Sequence, residues 1–441
     1  MICIYSATFN YLNTTVTSIE SLKQLNHNIN KENTFEFSAS SKFLMLSACM
    51  LLLLSFGFRS GFGLFVKPVT DANGWGREVI SFALAIQNLS WGVFAAVSGG
   101  LADRFGNVKV VIGGTIFYAA GIWLMAGVDS VWLLHTSVGL FVGAGVAGTS
   151  FGVILPAMVR AVPKNQRQWA LGVGTAAGSM GQFAMVPIVQ QLMDTYGWIS
   201  ALNILAVSAL GMALLAIPLA PYSGKAANEE NHFEQNILAA LKEAMKHRSY
   251  LLLVSGFFVC GFHVAFITAH MPAFLSDVGF DPQVGAWSVS IIGLCNIFGA
   301  YISGSISHRL SKRYLLCFIY LGRSVAISLF MLIPFSLTTV VIFSGVMGFL
   351  WLATIPPTSG LVAIMFGTRY MALLYGIVFL GHQLGSFSGV WLGGWLYDHR
   401  GSYDIVWWLG VALGIFAALV HWPIKERPVA RLAVPLNKVK H

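Results

Sequence analysis

Carboxylates are missing from the interior of this chain. Only 10% of the 441 residues are charged, and every Asp and Glu falls in a loop, in a tail or at the edge of an apolar run. Those near the run edges are Asp71, Glu78, Asp103, Asp129, Asp194, Asp277, Asp281, Asp398 and Asp404. A water-surrounded domain carries about a quarter charged residues, so the solvent for most of this surface is lipid. Of the five cysteines, Cys49, Cys260, Cys295 and Cys317 lie inside apolar runs, which excludes a disulfide framework. Residues 1–42 are polar and lack the basic start, apolar core and small-residue cleavage site of a secretory signal; they read as a disordered cytoplasmic extension. The 46 glycines form no nucleotide fingerprint, because none follows a strand in a soluble unit. The His, Ser and Asp residues make no catalytic constellation, so an enzyme, a cofactor and a metal site are not expected. The net charge of +9 sits in short loops, which is no footprint for nucleic acid.

Twelve long apolar runs are present: 43–66, 78–99, 110–128, 131–159, 169–192, 199–220, 249–275, 284–305, 314–335, 338–365, 372–396 and 405–423. Runs near 20 residues cross a bilayer as helices, which satisfy their own backbone groups in hydrocarbon. The predicted fold is therefore an all-α membrane protein. Its parts are an N-terminal bundle at 43–220, a central loop at 221–248, a C-terminal bundle at 249–424 and a basic tail at 425–441. Within the loop, 233–246 places Ile237, Leu238, Leu241 and Met245 on one side, the pattern of a helix lying on a membrane surface. Lys and Arg crowd the even-numbered loops and the tail, whereas the odd-numbered loops hold only Lys67, Arg77 and Arg400. That asymmetry predicts cytoplasmic termini in a plasma or inner membrane.

The two halves repeat at an offset of 204–205 residues. Gly57-Phe58-Arg59 matches Gly261-Phe262-His263, Gly99 and Arg104 match Gly304 and Arg309, and Gly181, Asp194 and Gly197 match Gly385, Asp398 and Gly401. Six spans plus six imply two pseudo-symmetric bundles with a cavity between them.

Cationic groups do enter the spans: Arg59 in span one, His263 and His270 in span seven, Arg323 in span nine, His382 in span eleven. A buried charge in hydrocarbon costs at least a few kcal/mol and marks a pathway or a partner. With no interior acid to neutralise Arg59, its expected partner is an anion brought by the substrate, held by the planar guanidinium fork. His263, matched to Arg59 by the repeat, is expected to face it across the axis as the second half of a carboxylate clamp. His382 with Gln383, and the neutral Gln182 and Asn296, complete the candidate binding residues. The alternatives are a snorkelling Arg59 and histidines that make neutral interhelical hydrogen bonds.

The loop Gly99-Gly100-Leu101-Ala102-Asp103-Arg104-Phe105-Gly106-Asn107-Val108-Lys109 resembles the signature of the major facilitator superfamily. Its degraded echo is Gly304-Ser305-Ile306-Ser307-His308-Arg309. The resemblance implies a secondary transporter working by alternating access. It also implies a gating loop in which Gly99, Asp103, Arg104, Gly106 and Arg309 take part, with Asp103 capping span three and meeting a basic group of the other half. Gly74-Trp75-Gly76-Arg77, the segment Ala170–Ser179 and Gly261-Phe262-His263 to His270-Met271-Pro272 are similar to bacterial relatives of monocarboxylate and oxalate–formate porters. That narrower likeness implies a small organic anion as substrate, moved with a proton or in exchange for another anion. Span eight, at Cys295–Ala300, lacks both the acid and arginine of the animal members and the arginine of the oxalate exchanger, so substrate identity does not carry over. Efflux of a larger metabolite, siderophore or drug is the competing expectation. A non-transporting sensor or scaffold would need a signalling domain for which the loops leave no room.

Overall fold

The computed structural model describes residues 39–163, 166–222, 237–307, 309–367 and 370–432, and among them there is no strand. Most of the 1–42 extension, residues 233–236, His308 and most of the basic tail lie outside the described residues. Leu44–His441 is one compact unit.

Among the described residues, eleven helices are long and apolar enough to cross a membrane. The longest, Arg167–Leu215, contains Gly197 at φ 78, ψ 161, a conformation a side chain resists. Gly197 breaks that helix into two spans and completes the predicted twelve. In order they are Ala39–Gly61 continued through a tight turn into Val66–Asn73, Arg77–Phe105, Asn107–Ala126, Val131–Arg160, the two halves of Arg167–Leu215, Arg248–Asp277, Pro282–Ser307, Lys312–Leu332, Leu337–Phe366, Met371–Arg400 and Asp404–His421. The predicted surface helix is present as Ile237–Lys246. The molecule has a basic face, where spans two and three meet at Asp103–Gly106, and an opposite face, where Arg77, Asp277 and Asp398 lie.

Spans four and ten are discontinuous at matching places. Span four passes through a π-helical turn at His135–Val142 and breaks between Gly148 and Phe151. Span ten stops at Leu350 and restarts at Ile355. Pro356 and Pro357 sit in the restarting turn, where a missing N–H costs no helix bond.

Each break is pinned by the first span of its half. Ser55 and Thr149 share a hydroxyl hydrogen bond of 2.7 Å, and Cys260 and Thr354 a thiol–hydroxyl contact of 3.3 Å. Both pairs are 94 residues apart and are related by a shift of 205. The third span supplies a second pin: Tyr118 donates its hydroxyl to Ser55 O (2.9 Å), and Arg323, 205 residues on, reaches Cys260 Sγ (3.6 Å). Arg323 also donates to Leu350 O (2.7 Å) and to Trp351 O. These carbonyls close the C-terminal end of a half-helix, where a cation is stabilised by the helix dipole. The guanidinium is fully buried; Nε and Nη2 meet backbone carbonyls, Nη1 has no hydrogen-bond partner, and among the described residues no carboxylate binds it.

Glycines set the close approach of spans one to five and seven to eleven. A Cβ on Gly181 would run into Leu53 O, and one on Gly385 into Phe258 O. In the C-terminal half the core gathers around Trp407, in edge contact with Phe266, Phe274, Phe330 and Phe343. Aromatic pairs of this kind add about 0.5–1.5 kcal/mol each beyond area burial.

The gating loop differs from expectation. Gly106, at φ 89, caps span three, and no side chain bonds there. Asp103 is exposed, and its charge acts on Arg160 of its own half. The loop is held instead by Asn107, which donates to Val153 O and accepts from Arg160 Nη2 (2.7 Å). An asparagine at the start of the helix offers both donor and acceptor, which a carboxylate one turn earlier does not.

Candidate functional site between the two halves

At the opposite face the halves are tied by charge. Arg77, opening span two, forks onto Asp277, ending span seven, at 2.5 and 2.7 Å. Its Nη1 also donates to Tyr403 Oη (3.0 Å), and its guanidinium lies 3.8 Å from the Tyr397 ring centre. The side chains are 9% and 25% exposed, so the pair is largely withdrawn from water. Asp398 of span eleven accepts the backbone N–H groups of Arg77 (2.9 Å) and Glu78 (2.7 Å), an acid placed on the positive end of a helix. Gln283 bonds Asp194 at 2.7 Å. His270 completes the network: Nε2 donates to Val390 O (2.9 Å), which leaves Nδ1 to accept from Tyr403 Oη (3.2 Å). No local pattern betrays this tie, because its partners lie 89 to 326 residues apart.

The contacts between halves continue to mid-depth. Phe82 meets Phe387 and Trp391, a Cβ on Gly92 would touch Gln383, Gln182 Nε2 donates to Val289 O (3.0 Å), and Asn296 Nδ2 donates to Ser179 Oγ (2.9 Å). Gly99 lies two turns beyond Gly92 on the same helix face, and no described residue lies within 4 Å of where its Cβ would be. The halves are thus tied at the opposite face and unpacked beside Gly99, toward the basic face.

Arg59 sits at the mid-depth level. Its Nη2 donates to Asn88 Oδ1 at 2.5 Å, and the Asn88 amide is fixed by its own bond to Leu84 O (2.8 Å). The guanidinium carbon lies 4.6 Å from the Trp91 ring centre, within cation–π range. Nε is buried with no hydrogen-bond partner, and among the described residues no carboxylate binds this arginine. Arg59 therefore turns toward span two and away from lipid. Trp91 meets Phe56 on one side (5.8 Å) and Phe379 of the other half (5.3 Å), and Phe379 stacks on His382 (5.8 Å, 9°). His382 is held by Gln383 Oε1 (3.2 Å), and Gln383 Nε2 is buried without a partner. Arg59, Asn88, Trp91, Phe379, His382 and Gln383 thus form one cluster that crosses the interface.

Other predicted residues are placed elsewhere. His263 bonds Gly410 O (2.8 Å) and packs against span twelve, so the expected clamp across from Arg59 does not form. The cause is one residue of register. At the shift of 205 set by the hydrogen-bonded pairs, Phe58 corresponds to His263 and Arg59 to Val264. One residue turns a helical side chain by about 100°. Asn296 joins span five to the break in span ten through Ser179 and Leu352 N (2.9 Å), and Gln182 bonds backbone; both amides bridge the halves. Arg104 lies over Phe105 of its own helix, and Arg309 is exposed with its N–H on Ile306 O. Sequence reasoning missed Trp91 and Phe379, whose partnership spans the two halves.

Comparison with known proteins agrees with this architecture. The chain is 27% identical over 371 residues to Monocarboxylate transporter 13 of Rattus norvegicus, covering 82% of this chain and 83% of that one. It is 23% identical over 409 residues to Multidrug resistance protein MdtH of Yersinia enterocolitica, covering 89% and 96%. A bacterial homologue of the human lysosomal transporter Spinster, solved inward-facing and unoccupied, superposes with a TM-score of 0.72 at 13% identity, covering 87% and 96%. Residues 48–389 match the Major Facilitator Superfamily, and with two six-helix bundles in place the chain belongs to that family of membrane transporters.

Proposed function

We propose that the protein carries small organic anions of the monocarboxylate type by alternating access, with Arg59 as the anion anchor. The observation that carries the reading is a mid-depth guanidinium with one amide partner, one aromatic face and an unpartnered Nε. A carboxylate completes such a group with charge-assisted bonds, and Phe56, Trp91 and Phe379 offer apolar contact to a short carbon chain. His382, beside this cluster rather than buried against span twelve, is the proton carrier in this reading, since an imidazole nitrogen can both accept and donate a proton. The Lys and Arg bias of the loops supports a cytoplasmic basic face, so the closed opposite face makes this the inward-open state. Asp103 and Arg309 then latch the basic face in the outward-open state. Similarity to a monocarboxylate transporter supports the substrate class.

Uptake of labelled lactate, pyruvate, formate, oxalate and acetate into proteoliposomes, with and without an inward proton gradient, tests the reading. Saturable uptake of at least one, accelerated by the gradient, is expected; no uptake of any would overturn it. The competing reading, efflux of a larger metabolite or drug, rests on the similarity to MdtH and predicts outward flux of such compounds instead.

A further inference from the structure

The second basic feature of the molecule lies far from Arg59, where the surface helix meets the C-terminal bundle. Ile237–Lys246 runs into span seven through His247, an extended residue whose side chain makes no cap. The chain leaving span twelve is strapped across the same corner: Lys425 N donates to Ser249 Oγ (3.1 Å) and Val429 N to Met365 O (2.9 Å). Between strap and helix lies a cavity of about 730 Å³. Lys246, Arg248, Lys425 and Arg427 line it, with His247 and one acid, Glu243. The other nearby acid, Glu426, bonds Ser311 (2.6 Å) and Arg313 N (2.8 Å). Among the described residues none of the four cations is in an ion pair. His247 Nδ1 is buried without a partner, and burial lowers this imidazole below its usual range against the pull of Glu243. Four cationic residues therefore border one cavity with a single acid. Like charges held together repel unless an anion joins them.

The depth of the cavity narrows the anion. The surface helix exposes Ile237, Leu238 and Met245, the apolar side of a helix that lies at the boundary of headgroups and acyl chains. A cavity beside it opens at headgroup level, where Lys and Arg clusters attract anionic lipid.

We propose that this cavity binds the phosphate-bearing headgroup of an anionic phospholipid. The site is independent of the transport pathway, and its occupant fastens the surface helix and the chain after span twelve to the membrane.

The test is native mass spectrometry and thermal unfolding of the full chain, titrated with phosphatidylglycerol, phosphatidylcholine, inorganic phosphate and glycerol phosphate. Phosphatidylglycerol is expected to be retained and to raise the unfolding temperature. The pair Lys246→Gln/Arg248→Gln, and separately Lys425→Gln/Arg427→Gln on the other wall, should weaken its retention about tenfold or more. Lys242→Gln, on the same helix but not lining the cavity, should leave it unchanged. If all three variants retain phosphatidylglycerol equally, the site is refuted. If phosphatidylcholine is retained equally, charge recognition is refuted. If inorganic phosphate or glycerol phosphate stabilises as strongly as phosphatidylglycerol, the lipid assignment is overturned in favour of a soluble phosphate ligand. Two variants on separate walls keep the result readable should one fail to fold.

Discussion

The two halves hold their broken helices with the same geometry and different chemistry. In the N-terminal half the pin is neutral: Ser55, Thr149 and the Tyr118 hydroxyl. In the C-terminal half the corresponding positions are Cys260, Thr354 and Arg323, and the arginine closes the carbonyls of Leu350 and Trp351. One half thus carries a buried charge held by two backbone carbonyls and a thiol, with Nη1 left without a partner. The other carries Arg59, whose charge its surroundings satisfy only in part. The depth of a cation in the bilayer does not by itself mark a binding site; what separates these two is how many protein acceptors each already holds, two carbonyls and a thiol at Arg323 against one amide at Arg59.

Breaking the charged pin should have the largest effect. Arg323→Gln frees two carbonyls at the end of a half-helix and shortens a fully buried side chain; we expect about 3 kcal/mol of lost stability, read from unfolding in detergent. Stability equal to wild type would mean that the span-ten break needs no cation. The tie at the opposite face comes next. It too is unequal, an N-terminal cation on C-terminal carboxylates. Arg77→Gln leaves Asp277 and Tyr403 without their partner, and about 2 kcal/mol of lost closure shifts the balance toward opening of that face about thirtyfold. Thiol labelling of a cysteine placed beside Gly63, which packs on Thr268 and Ala269 of the other half, should rise accordingly; unchanged labelling would show that the aromatic contacts alone hold the face closed. The neutral pin should matter least. Tyr118→Phe removes one hydroxyl bond, for which about 0.6 kcal/mol is typical between membrane helices. A loss as large as that of Arg323→Gln would erase the contrast between the halves.

The architecture was legible because lipid imposes it. Apolar run length, short charged loops and the glycine turns at Gly106 and Gly197 mark twelve spans, whereas the break in span ten is not legible in its continuous apolar run. The repeat was legible too, but not to the residue. Glycine-rich helices tolerate alignment at 204 as well as 205, and that single step separates His263 facing Arg59 from His263 bonded to Gly410. Arg59 itself stood out from the missing interior carboxylates. The groups around it did not, because Trp91 and Phe379 are ordinary aromatics in apolar runs until two distant helices bring them together. The expected Asp103 cap on span three is absent for a related reason: the loop motif marks the turn, while the side chain that holds it is Asn107, one turn on.

Saturable uptake of a labelled monocarboxylate by proteoliposomes of wild type, Arg59→Lys and Arg59→Gln tests the anchor most directly, with unfolding temperature followed in parallel. The account predicts that Arg59→Gln loses uptake of every organic anion the wild type carries while remaining folded, and that Arg59→Lys keeps a weakened fraction because a point charge replaces the planar fork. Uptake by folded Arg59→Gln with unchanged apparent affinity would contradict it.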